Sequence, residues 1–195
     1  MPDGSPVPTA ATAAAADART RILDAAEAVV IARGVAGLTL EGAAREAGVS
    51  KGGLLYHFAT KDALVSAMLD RLAGFVAAEF EAGIAAQPPG PHRVARAMLA
   101  WVLDQPPEAI CARYDRAAAV FLSAQHADPA LLDPMRALFR GMKARLLADG
   151  TPPGPALAIL AAGDGLFWAS VFGTWEASAE ERAALRATLA GLLAR

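Results

Sequence analysis

Apolar positions recur along this chain at intervals of three and four, the spacing of a helix with one buried face. Ile22, Ala26, Val29 and Val30 form one such stripe and predict a helix from near Asp17 to Arg33, stopped by Gly34. Leu40, Ala43, Ala44 and Ala47 predict a short second helix capped by Thr39 and ended by Gly48. Ser50 caps a third, predicted to run to about Phe58. Thr60 caps a fourth, in which Leu64, Met68 and Leu72 repeat as far as Ala86. After "QPPGP", residues 87–91, the pattern predicts helices over 92–105, 108–125, 129–148, 155–173 and 179–194. No stretch alternates in the manner of a strand, so the predicted class is all-α with about nine helices.

Composition sharpens this picture in a few places. Of 195 residues 55% are hydrophobic but only 6% aromatic, because alanine, a strong helix former, supplies much of the apolar count. A lone Cys111 excludes an internal disulfide framework, fits a reducing cytoplasm, and reads as a small buried hydrophobe. The opening "MPDGSPVPTAATAAAA" has no Lys or Arg and no strong Leu/Val run, so residues 1–16 read as a disordered tail and not as a secretory signal. Residues 156–175 are long enough to span a membrane. Asp164 in their middle and the three glycines argue instead for a buried or interface helix, and no membrane partner is expected.

The chemistry concentrates in "GVSKGGLLYHFATKDAL", residues 48–64. Two short helices joined by Ala47-Gly48-Val49 make a helix-turn-helix, whose second helix can enter the major groove of DNA. Leu54 and Phe58, four apart, share the inner face, which turns Tyr56, Gly52 and Gly53 outward. Each glycine weakens the helix by about 1 kcal/mol relative to alanine, so a bare outer face implies close approach of a ligand to the backbone. Lys61 stands in a first helical turn, where the dipole disfavours cations and a phosphate would favour them. Thr39 can donate its hydroxyl to a phosphate, while Ser50, Lys51 and Leu55 are placed to reach base edges. Capping alone would equally account for Thr39, Ser50 and Thr60, and packing for Tyr56 and His57. Residues 1–86 hold seven Lys or Arg against ten Asp or Glu, a net charge of −3. That is unusual for a DNA-binding unit and leaves Arg19, Arg21, Lys51 and Lys61 as the candidate positive points.

The string "TRILDAAEAVVIARGVAGLTLEGAAREAGVSKGGLLYHFATKDALVSAML" resembles the DNA-binding half of the tetracycline-repressor (TetR/AcrR) family of bacterial transcriptional regulators. The resemblance covers about a quarter of the chain. It implies a helix-turn-helix DNA-binding domain over residues 17–64 and a ligand-binding and dimerisation domain over 65–195, with the helix at 60–86 as connector. It implies phosphate contacts from Thr39, Tyr56, His57 and Lys61, and base contacts from Ser50, Lys51, Gly52, Gly53 and Leu55. The two glycines depart from members with bulkier base-reading side chains. The resemblance further implies a homodimer built on the last two long helices. Leu157, Leu160, Asp164, Phe167, Trp168, Val171, Leu185, Leu189 and Leu192 are the candidate interface residues. Asp164 could cap, pair across the interface or face a pocket, and pairing is favoured.

A small apolar or amphipathic effector is expected in a pocket lined by Met98, Trp101, Tyr114 and Phe121, although the same spacing equally describes core packing. The expected function is that of a cytoplasmic repressor that leaves a palindromic DNA operator when the effector binds. The alternative is a helical small-molecule or protein-binding module without operator binding. No enzyme activity, metal or cofactor is expected, since His57, His92 and His126 lie far apart beside no nucleophile or metal-ligand spacing.

Overall fold

In a computed structural model the described residues are 10–104, 124 and 128–194. They form eight α-helices and two short 3-10 turns, with no strand among the described residues. In chain order these are α1 (Ala10–Arg33), a turn at Val35–Gly37, α2 (Leu40–Glu46), α3 (Lys51–His57), α4 (Lys61–Ala86), α5 (Arg93–Leu103), a turn at Pro129–Leu132, α6 (Asp133–Ala148), α7 (Pro153–Val171) and α8 (Ala179–Leu193). The expected helix at 108–125 lies outside the described residues, as do Cys111, Tyr114, Phe121 and His126. The described residues divide into two compact units, residues 10–70 with 124 and 128–132, and residues 71–104 with 133–194. The division falls inside α4.

One expectation needs correcting. α1 starts at Ala10 and not near Asp17, so helix replaces part of the expected tail. The cause is local: an alanine-rich run loses little side-chain entropy in a helix and propagates the turn backwards.

In the first unit, α1 packs on α2 and α3, and α2 packs on α3. Ile22, Ala26 and Val30 are buried as the stripe requires, joined by Leu23 and Ala25, while Val29 is half-buried. Gly34 ends α1 at φ 68°, a left-handed conformation that glycine adopts without a Cβ penalty. Gly48 does the same for α2 at φ 64°. Its amide donates to the Arg45 carbonyl at 3.2 Å and the Val49 amide donates to the Ala44 carbonyl at 3.0 Å. That pair of bonds is a Schellman turn, and it sets the sharp corner between α2 and α3.

The second unit is organised around α5, which packs against α6, α7 and α8. Val76, Phe80 and Ile84 of α4 join Met98, Leu99, Leu103, Met142, Leu146, Ala156, Ile159 and Leu189 in its core. α5 has no local side-chain cap, and its preceding residue His92 is left-handed at φ 58°. The Asp149 carboxylate, from the joint between α6 and α7, accepts instead from the amides of Val94 (2.9 Å) and Ala95 (3.2 Å). Buried Thr151 donates to the same carboxylate at 3.5 Å and lies 3.1 Å from the His92 ring nitrogen Nδ1. A remote loop thus satisfies the orphan donors of the central helix. Where α7 crosses α5, a Cβ on Gly163 would stand 2.8 Å from a Val102 methyl, so any larger residue there would have to displace that side chain.

α7 is long and apolar enough, by length and composition, to cross a membrane. Its inner edge buries Ala156 and Ile159.

Candidate nucleic-acid interface

The first unit holds three helix starts after α1, those of α2, α3 and α4, and each uses a hydroxyl as its cap. The Thr39 oxygen accepts from the Gly42 amide, that of Ser50 from the Gly53 amide and that of Thr60 from the Ala63 amide, all at 3.0 Å. Each cap satisfies one of the unpaired amides at the helix start. A hydroxyl that accepts this way still carries its own proton. Thr39 and Ser50 are exposed, so each keeps a donor available to an incoming anion or base edge.

α3 runs from the Ser50 cap toward the Thr60 cap with its inner face fixed. Leu54 is fully buried and Phe58 nearly so, which turns the rest of the helix outward as the helical wheel requires. Tyr56 is 81% exposed, an extreme value for an aromatic side chain, and its ring meets the half-buried His57 edge-on at 5.0 Å between centroids. Leu55 is exposed as well. Gly52 is exposed and Gly53 half-buried. A Cβ on Gly52 would meet nothing closer than the Ser50 hydroxyl at 4.0 Å, while one on Gly53 would press on that oxygen at 3.2 Å. The protein's own packing therefore does not demand glycine at 52.

The charges are arranged less openly than the sequence suggests. Arg19 lies over the Phe58 ring at 5.3 Å. Arg21 pairs with Asp17 at 3.2 Å. Lys51 pairs with Glu41 of α2 at 2.5 Å, and that amine holds the Glu41 carboxyl below its ordinary range, by hydrogen bonding first and by charge second. Lys61, half-buried at the start of α4, has no ion pair to any described residue. The Glu41–Lys51 link was missed in the sequence, because pairing across a turn has no fixed residue spacing.

The second unit presents a different surface. Leu157 and Phe167 on α7 are exposed, as are Phe172 and Trp175 just beyond it. Trp168 stacks on Phe172 at 5.7 Å and meets Phe167 edge-on at 5.1 Å. Asp164 lies on the open side of α7, and desolvation among its apolar neighbours pushes its carboxyl pKa up. Val171 is half-buried, and Leu160, Leu185 and Leu192 pack part-buried against the core. Leu189 is inside that core. Of the candidate pocket residues, Met98 is a core side chain and Trp101 is half-buried beside it, 6.3 Å from the Phe80 ring. Among the described residues no three His, Cys, Asp or Glu gather as metal ligands.

Known proteins share this chain's sequence pattern and fold. Residues 22–68 match the bacterial regulatory proteins of the tetR family, and residues 92–194 match the tetracyclin repressor-like C-terminal domain. The transcriptional regulator TtgR of Pseudomonas putida is 45% identical over 58 residues, which cover 30% of this chain and 28% of TtgR. A TetR-family structure from Streptomyces coelicolor is 28% identical with a TM-score of 0.64, covering 90% of this chain and 98% of its own. The multidrug binding protein EbrR, solved with malachite green, is 31% identical with a TM-score of 0.64, covering 90% of this chain and 97% of its own.

Proposed function

Since the chain belongs to the tetracycline-repressor (TetR) family and is a transcriptional regulator, we propose that it is a cytoplasmic, effector-released repressor that binds a palindromic operator as a homodimer. The observation that carries this reading is Tyr56, left in solvent beside the bare Gly52 with donor-bearing caps on either side. Thr39, Tyr56, His57 and Lys61 hold phosphates and fix register, which carries no sequence information. Ser50, Lys51 and Leu55 read base edges, and Gly52 and Gly53 admit the duplex close to the backbone.

Two protomers join through the open faces of α7 and α8, with Leu157, Phe167 and Trp168 at the contact. Their recognition helices then sit about 34–36 Å apart, one turn of DNA. A small apolar or amphipathic effector enters the second unit near Met98 and Trp101. It releases DNA only by binding the DNA-free arrangement more tightly than the DNA-bound one. EbrR was solved with malachite green and with ethidium. Aromatic dyes of this kind are therefore the first effectors to try, read as a rise in melting temperature.

The test is selection of bound fragments from genomic DNA, followed by gel shifts at fixed salt. Tyr56→Ala and Lys61→Ala are each expected to weaken operator and unrelated DNA by a similar factor, on the order of tenfold, while the melting temperature stays put. Unchanged affinity in both variants removes the phosphate assignment. A selection that returns no sequence favours the alternative module without operator binding, which the engaged state of Arg19, Arg21 and Lys51 supports.

A further inference from the structure

The ion pair between Glu41 and Lys51 joins the two helices of the helix-turn-helix, ten residues apart in sequence. Both side chains are more than half exposed, at 66% and 59%. An exposed pair of this kind adds little to stability, and α2 and α3 are already joined by the Schellman turn at Gly48 and by their packing on each other. The fold does not need the pair. Its effect is on where the Lys51 amine lies: the first residue of α3 points its charge back to α2.

We propose that Glu41 is a specificity-determining residue of the DNA-reading surface, which withholds the Lys51 amine from arbitrary phosphates and so suppresses binding to unrelated DNA. The argument is one of exchange. A free lysine gains affinity on any duplex, because each neutralised phosphate releases counterions whatever the sequence. A lysine already paired must give up a carboxylate for that phosphate, and the abandoned carboxylate is then left facing a polyanion. The exchange becomes favourable where a base pair offers replacements for both groups. Guanine supplies two acceptors, O6 and N7, for the amine, and cytosine supplies an N4 donor for the carboxylate. The lowered pKa of Glu41 is consistent with a pair that stays ionised at neutral pH. Glu41 thus lowers general affinity more than operator affinity, and in a unit of net negative charge it leaves recognition to a few placed contacts.

This inference rests on the proposed DNA binding, and the test separates the two. Glu41→Gln keeps the length and helix-forming character of the side chain while removing its charge. It is expected to tighten binding to unrelated duplex by roughly tenfold and to steepen the salt dependence by about one unit of slope. Operator affinity should change less, so the ratio between the two falls. Adding Lys51→Met should cancel the gain on unrelated DNA. A Glu41→Gln protein that binds both DNAs as the wild type does, shifts both by one factor, or keeps its gain without Lys51 overturns the role given to Glu41. A wild-type protein that selects no DNA overturns both readings. Titration of the Glu41 carboxyl by NMR gives a readout free of DNA: Lys51→Met should move it up toward the ordinary carboxylate range, and an unmoved titration refutes the pairing.

Discussion

α3 turns Leu54 inward and leaves Gly52, Leu55 and Tyr56 outside, whereas α7 buries Ala156 and Ile159 and leaves Leu157, Phe167 and, just past its end, Phe172 outside. Both helices are held by a narrow inner stripe. What they expose differs in kind. The open side of α3 is low in relief, bare backbone and one phenol flanked by hydroxyl caps, which suits a rigid polar partner that comes close. The open side of α7 presents Leu157, Phe167 and stacked rings around the single carboxyl of Asp164, which suits a partner able to bury it. An exposed apolar surface of that sort marks an interaction site. Two helices of one chain can therefore announce different partners, and the distinction lies in side-chain relief more than in exposure.

The contrast breaks first if the inner stripes are not what hold these faces. Leu54→Ala removes a fully buried side chain from the small first unit. The expected loss is roughly 2–5 kcal/mol, read by urea denaturation, with DNA binding lost as α3 comes loose. A loss below about 1 kcal/mol would mean that α3 is positioned by something else. Next in size is Phe167→Asp on the open side of α7. On the proposed dimer it should weaken association at least about 100-fold, since buried aromatic anchors dominate such interfaces. Sedimentation at micromolar concentration should then report half the wild-type mass, and an unaltered mass would take the interface away from this face.

Smaller and more pointed is Gly52→Ala. The new methyl meets open space apart from the Ser50 hydroxyl at 4.0 Å. Thermal stability should rise by about 0.5–1 kcal/mol while DNA affinity falls. A variant that gains in both respects would show that the bare position serves no close approach. The smallest effect belongs to Asp164→Asn. Desolvation raises the folded pKa of Asp164 above its unfolded value. Between those two values the folded chain binds more protons, so stability falls as pH rises through that window and stays lower above it. The asparagine variant should melt slightly higher than wild type at neutral pH, and the gap should close in acid. A gap that persists in acid would assign the gain to packing and not to charge.

Much of this was legible before any coordinates. Thr39, Ser50 and Thr60 cap where their residue type and the following periodicity predict, and Leu54 and Phe58 face inward as four-residue spacing demands. Such features depend on neighbours within one or two helical turns, where spacing fixes geometry. Long-range partners follow no such rule. Asp149 reaches back more than fifty positions to the amides of α5, Arg145 pairs with Glu81, and Arg186 pairs with Asp104. Lys51 illustrates the limit most usefully. Its position at the head of α3 was evident, yet its engagement with Glu41 depends on the corner angle at Gly48, which residue spacing does not report.

The caps of the first unit carry a consequence for how this chain can vary. At an ordinary helix start, such as Ser178 with its reciprocal partner Glu181, serine, threonine, aspartate and asparagine are near-equivalent choices. On the proposed DNA contacts they are not equivalent at Thr39 and Ser50. Aspartate would keep the helix but surrender the spare proton and plant an anion on the surface. Mutational drift that is silent at 178 should be heard at 39 and 50, and a saturation library sorted for folding and for regulation would separate the two kinds of cap.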